Sequence, residues 1–178
     1  MKKITKSLLV GLFMLASVNA ASAQNYKYGI GAVVGTMDGV SFKMFLSENL
    51  ALQADLAYKY VVRTARAEGF RLSYGLHTFE LNPNLVYQRN ITSFGVGNLD
   101  WYAGGGVSLG YAFMSLWGQN SYGLGKFGVN GIGGVEFKFN FPLAVGFDFR
   151  PGYGLLFGKD DTGSYFDWAV ALSARYCF

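Results

Sequence analysis

Beyond residue 24 the chain alternates apolar residues with small or polar ones, a period of two that predicts β-strands. Leu50 to Tyr60 is the clearest stretch. Leu50, Leu52, Ala54, Leu56, Tyr58 and Tyr60 share one face, and Ala51, Gln53, Asp55, Ala57 and Lys59 share the other. The last segment repeats this, with Phe166, Trp168, Val170, Leu172, Ala174, Tyr176 and Phe178 opposite Asp167, Ala169, Ala171, Ser173, Arg175 and Cys177. From Leu143, the face carrying Val145, Phe147 and Phe149 alternates with one carrying Gly146, Asp148 and Arg150. From Phe127, Val129, Val135, Phe137 and Phe139 alternate with Asn130, Glu136 and Lys138.

Four noisier segments fit the same pattern: Tyr26–Thr36, Val40–Leu46, Phe79–Tyr87 and Leu99–Phe113. The total is about eight strands in one domain, residues 24–178. Met37-Asp38-Gly39, Ser47-Glu48-Asn49 and Asn140-Phe141-Pro142 read as short turns. Arg63–Arg71, Asn90–Asn98, Ser115–Lys126 and Gly158–Ser164 read as longer links. Most links join neighbouring strands, and none supplies a crossover helix for a parallel sheet.

Composition decides which face is outside. Charged residues are 15% of the chain, against roughly 25% in soluble domains. The face of Gly, Ala and a few charges is too small-residued to cover a water-exposed surface. A narrow barrel, however, has room inside for small side chains and paired charges. The predicted fold is therefore all-β: an antiparallel up-and-down transmembrane β-barrel with its apolar face on lipid. Tyr58, Tyr60, Tyr111, Phe113, Phe166 and Trp168 fall near one end of the strands. Tyr26, Tyr28, Tyr87, Trp101, Phe139, Tyr176 and Phe178 fall near the other, giving two aromatic girdles.

Residues 1–23 read as a secretory signal peptide: Lys2, Lys3 and Lys6, an apolar run from Leu8 to Leu15, then Ala21-Ser22-Ala23. A cut after Ala20 is the competing site. Removing those three lysines from the 15 Lys and Arg leaves 12 against 11 Asp and Glu, so the exported chain is nearly neutral. No basic run suggests nucleic acid. The single cysteine, Cys177, excludes an internal disulfide.

The chain ends on Phe178, preceded on the same face by Tyr176, Leu172 and Val170. These four residues resemble the terminal-strand signal that outer-membrane barrels present to the barrel assembly machinery during insertion. With the leader and the amphipathic strands, the chain resembles the small OmpA/OmpX-like barrel superfamily. That resemblance implies a multi-pass outer-membrane location and contact with outer-membrane lipids and lipopolysaccharide. The very short Asp38-Gly39 turn and the long Asn90–Asn98 link depart from the usual pattern of short periplasmic turns and long external loops.

Lys43, Asp55, Lys59, Glu80, Glu136, Lys138, Asp148, Arg150, Asp167 and Arg175 fall on the predicted inner face as a mixed-sign network. It reads either as a paired filling for a closed barrel or as the lining of a narrow channel for small solutes or ions. Filling is the preferred reading, because buried charges need partners. His77, the only histidine, has Ser73 and Glu80 nearby in sequence, the residue types of a lipid A-modifying enzyme. A regular strand puts Glu80 on the opposite face from His77, so no catalytic residue is assigned. Gly29, Gly31 and Gly35 lack the spacing and following helix of a dinucleotide site. One histidine and one cysteine offer no transition-metal set, and no cofactor is expected. Arg63, Arg66 and Arg71 in one link suit lipopolysaccharide phosphates, and Asp160-Asp161 in another suits a cation; solvated loop charge is the simpler reading for both. The expected role is non-enzymatic: structural, surface-interacting or complex-supporting. An intact barrel should migrate differently on a gel before and after boiling and fractionate with the outer membrane. Identical migration together with a soluble periplasmic location would contradict this reading.

Overall fold

The computed structural model describes the backbone of residues 26–67, 70–116, 119–158 and 162–178, and their side chains except those of 61–76 and 114–122. The expected leader, Asp160 and Asp161 lie outside the described residues, as do the side chains of Arg63, Arg66, Arg71 and Ser73. The described residues form eight strands: β1 (Tyr28–Gly35), β2 (Asp38–Phe45), β3 (Leu50–Ala67), β4 (Phe70–Phe94), β5 (Gly97–Leu116), β6 (Gln119–Phe139), β7 (Leu143–Phe157) and β8 (Thr162–Cys177). Each pairs antiparallel with its sequence neighbours, and β8 pairs with β1, so the sheet closes into a barrel.

The seam is made by main chain. Tyr28 N–H donates to Phe178 O at 2.9 Å, and Phe178 N–H donates to Tyr28 O at 2.8 Å. The prolines lie where a missing N–H does least harm to the ladder. Pro151 falls where β6–β7 pairing is interrupted, between Asn130↔Gly152 and Gly133↔Phe149. Pro83 falls in the corresponding interruption of β4–β5, between Leu81↔Leu109 and Asn84↔Gly106.

Alternation is inside-out relative to a soluble barrel. Lys43, Gln53, Asp55, Glu136, Asp148 and Arg175 are fully buried, whereas Ile30, Leu56, Val129, Phe147 and Leu172 stay about half exposed on the outer wall. Aromatic rings mark both ends of this apolar belt. Tyr28 packs on Phe178 (5.7 Å between ring centres) and Tyr87 on Trp101 (6.0 Å) at the end holding Tyr26 and Phe178, the termini of the described residues. Phe79, Tyr111 and Phe113 form a chain at the other end, with centres 6.4 and 4.7 Å apart.

Three of the expected long links are largely strand. β3 runs to Ala67 and β4 starts at Phe70; β5 runs to Leu116 and β6 starts at Gln119. Asn90–Asn98 is the end of β4, a register shift between Asn90 and Thr92, a turn at Gly95-Val96 and the start of β5. In these segments the period-two alternation breaks down although the hydrogen-bond ladder continues.

The wall is uneven. β1 and β2 have 8 residues each, while β3 to β6 have 18, 25, 20 and 21. Pairing of β2 with β3 stops at Asp38↔Tyr58, and that of β1 with β8 at Gly35↔Ala171. The hairpin between them turns tightly: Gly35 takes φ +145°, a conformation suited to glycine, and its N–H donates to Asp38 Oδ1 at 3.1 Å. Above this hairpin, from Lys59 on β3 and up to Val170 on β8, no strand among the described residues pairs β3 with β8, which leaves a notch.

Close approach requires glycine at Gly134, which pairs with Tyr102 and Asp148. A Cβ there would lie 2.3 Å from Phe147 O and 2.7 Å from Asp148 Cβ. Gly134→Val is expected to lower stability by about 1–3 kcal/mol through overpacking, read from urea unfolding of the barrel in vesicles. An unchanged midpoint would show that the wall relaxes at this position.

Candidate functional site

Among the described residues the lumen holds three tiers of polar side chains, positioned by the inward-facing residues of β2 to β8 and by Tyr26. The tier nearest the termini centres on Glu136 of β6. Its carboxylate accepts from Arg175 Nη1 (2.8 Å), Lys43 Nζ (3.2 Å), Gln88 Nε2 (3.0 Å) and Tyr26 Oη (2.7 Å). Arg175 also donates through Nε to Ser41 Oγ at 2.9 Å, and Lys43 donates to Gln88 Oε1 at 2.5 Å. Below this, Lys138 pairs with Asp100 at 2.7 Å, and Gln88 donates to the same carboxylate at 2.8 Å. Tyr26 precedes β1. Burial and then the Glu136 carboxylate push its phenol well above the usual range, which keeps it a donor.

Arg150 of β7 forms the middle tier. Its Nη1 donates to Asp55 at 2.6 Å and its Nε to Asp148 at 2.5 Å. Tyr102 links the two tiers: its hydroxyl donates to Asp148 at 2.8 Å, and Lys43 Nζ sits 4.6 Å from its ring centre. Apolar residues pack between. Met37 turns inward with Val33, Ala57, Ala169 and Ala171, while Val86 and Ile132 pack with Tyr102 and Ala51.

The third tier lies toward the far end. Lys126 contacts Glu80 and lies 3.4 Å from Asp167 Oδ2, and Lys59 pairs with Asp167 Oδ1 at 2.6 Å. Between the middle and third tiers is a cavity of about 30 Å³, lined by Met37, Glu80, Asn82, Asn130 and Arg150 among others. That is about the space of one water molecule.

All ten charges expected inside point inward, and the structure joins every one to an opposite charge. The charge set read from the sequence left out Lys126 and Asp100, and Tyr26, expected in an outer aromatic girdle, is instead buried inside against Glu136. Lys126 was hidden in an expected link, although its alternation with Phe127 was a usable signal. Gln53 Oε1, Asp55 Oδ1, Ser173 Oγ and Arg175 Nη2 are buried without a partner among the described residues, so the network is not saturated.

His77 is not brought to Glu80. His77 Nδ1 lies 2.6 Å from the Tyr58 hydroxyl, on the outer side of the wall, whereas Glu80 is buried inside. Among the described residues no group of three or more His, Cys, Asp and Glu is placed to hold a metal ion. Val170, Leu172, Tyr176 and Phe178 all lie on the outer face of β8 or just beyond its end, with Tyr176 and Phe178 stacked at 6.1 Å.

No family model and no curated protein sequence matches the chain. Solved structures do resemble it. The N-terminal β-barrel domain of Pseudomonas aeruginosa OprF superposes with a TM-score of 0.52 at 14% identity, covering 85% of this chain and 95% of that one. Ail, the attachment invasion locus protein of Yersinia pestis, superposes with a TM-score of 0.46 at 14% identity, covering 85% and 94%. The fold is that of the small outer-membrane β-barrels.

Glu136→Ala leaves Lys43 and Arg175 buried without their shared counter-charge. A loss of about 3–5 kcal/mol is expected, measured by reversible urea unfolding in vesicles. A loss below about 1 kcal/mol would place this cluster with ion pairs of surface strength.

Proposed function

We propose that this protein is an integral outer-membrane barrel with a non-enzymatic structural or surface-interaction role, and that its lumen does not conduct. One observation carries this reading: the Glu136–Arg175–Lys43 and Asp55–Arg150–Asp148 clusters cross the interior with almost no exposure. Moving an ion past them would require separating charges that lack bulk water to replace their partners. A barrel of about eight strands is also narrow enough for side chains to fill. Function then falls to the outer wall and the tall β3–β6 end, while the terminal face of Val170, Leu172, Tyr176 and Phe178 serves recognition by the assembly machinery. The outer wall meets membrane lipid, and the end away from the termini meets lipopolysaccharide.

The test is ion conductance of the refolded chain in a planar bilayer. The expected result is silence from a barrel that shows the folded gel shift. Steady unitary currents, altered by Arg150→Ala, would overturn the closed-lumen reading and make a narrow channel the function.

A further inference from the structure

The notch above the β1–β2 hairpin has an unusual closure. Val170 exchanges main-chain contacts with Thr36: its C=O accepts from Thr36 N–H at 3.0 Å, and its N–H donates to Thr36 Oγ1 at 2.9 Å. Two residues along β8, the main-chain groups of Trp168 point the same way, but no strand or turn among the described residues pairs with them there. Side chains take that place. Trp168 N–H donates to Asp167 Oδ1 at 2.9 Å, and Lys59 Nζ from β3 donates to Trp168 O at 3.3 Å. The same ammonium holds Asp167 at 2.6 Å. One ion pair thus spans the gap that two short strands leave open.

The carboxylate of Asp167 sits in an anion site. It faces Lys59, Lys126 and the Trp168 N–H, and its side chain is 27% exposed, while those of Lys59 and Lys126 are 10% and 7% exposed. It is the most accessible member of the tier and the one attached beside the opening. Behind it is the small polar cavity, floored by Met37 and Arg150. Outside it, Tyr60, Phe166 and Trp168 are 53%, 67% and 53% exposed on the lipid-facing wall, at the level of the far aromatic girdle. A polar site behind an apolar rim, at the depth of lipid headgroups, matches a molecule with an anionic head and an apolar tail.

We propose that the notch is a side-entry binding site for a single-chain anionic amphiphile. Its carboxylate or phosphate head displaces the Asp167 side chain from Lys59 and Lys126. Its tail lies along Tyr60, Phe166 and Trp168. The filled middle tier makes the site a dead end, so binding requires no conduction and is separable from the closed-lumen reading.

The test uses the full barrel refolded in an uncharged maltoside detergent, with the amide and indole NMR shifts of Trp168 as readout. Dodecyl phosphate, dodecanol and inorganic phosphate are titrated separately. Saturable shifts are expected with dodecyl phosphate and not with dodecanol. Asp167→Asn removes the internal competitor and should tighten binding about tenfold, the equivalent of one modest ion pair. Lys59→Gln with Lys126→Gln should abolish it. Inorganic phosphate binding as tightly as dodecyl phosphate would overturn entry from the lipid side. Equal affinity in wild type and Asp167→Asn, or no saturable shift in either, would overturn the site. The boiled and unboiled gel shift checks folding of each variant; should the double lysine variant not fold, Asp167→Asn, which keeps both cations, decides alone.

Discussion

A peptide group in hydrocarbon has no water to bond, so each N–H and C=O must find its partner within the chain. That constraint explains the closed ring of eight strands and the reciprocal bonds between Tyr28 and Phe178 at its seam. It also explains the local repairs. Pro151 and Pro83 sit at interruptions of a ladder rather than within it. At the notch, Asp167 and Lys59 supply from side chains what an absent strand would have supplied from its backbone. The notch is therefore held by bonds of a different kind from those of the rest of the wall, and by fewer of them.

Closure at this strand number leaves a narrow interior, and the side chains inside follow from that narrowness. Small residues admit the few large ones: Gly134 lies beside Tyr102 and Asp148, and Gly146 would place a Cβ 3.5 Å from the Tyr102 hydroxyl. The largest include Arg175, Tyr102, Lys43, Gln53 and Glu136, and they bond to one another and to their neighbours across the lumen without using every polar atom. Burying so many ions is costly unless their partners are fixed in advance. Here the wall fixes them, because each inward position is set by the registers of two neighbouring strands.

The fold was legible where lipid dictates the sequence. Leu50–Tyr60 and Phe166–Phe178 announce their strands because one side must be apolar and the other cannot be. Outside the belt that pressure disappears. The ends of β3 through β6 therefore looked like links, and Asn90–Asn98 looked like a long loop although it forms a tight turn on a continued strand. The inward charges were legible for the same reason as the strands, since a charge in an alternating segment has only the lumen to face. Their partners were not. The convergence of Tyr26, Lys43, Gln88 and Arg175 on Glu136 depends on which strands become neighbours and how far each is tilted, and a period of two carries no such information. The unequal heights of β1–β2 and β3–β6, which create the notch, were likewise invisible while the strand ends were misread.

Glu136 draws its partners from Tyr26 ahead of β1, from β2, from β4 and from β8. Sliding any of those strands by one residue turns its contributing side chain out into lipid, and the carboxylate at the centre is left short of a donor. A wall with one wrong register is thus penalised twice, once on each of its faces. The buried acid works as an error detector for barrel closure, comparing distant parts of the chain that no single hairpin could check against one another.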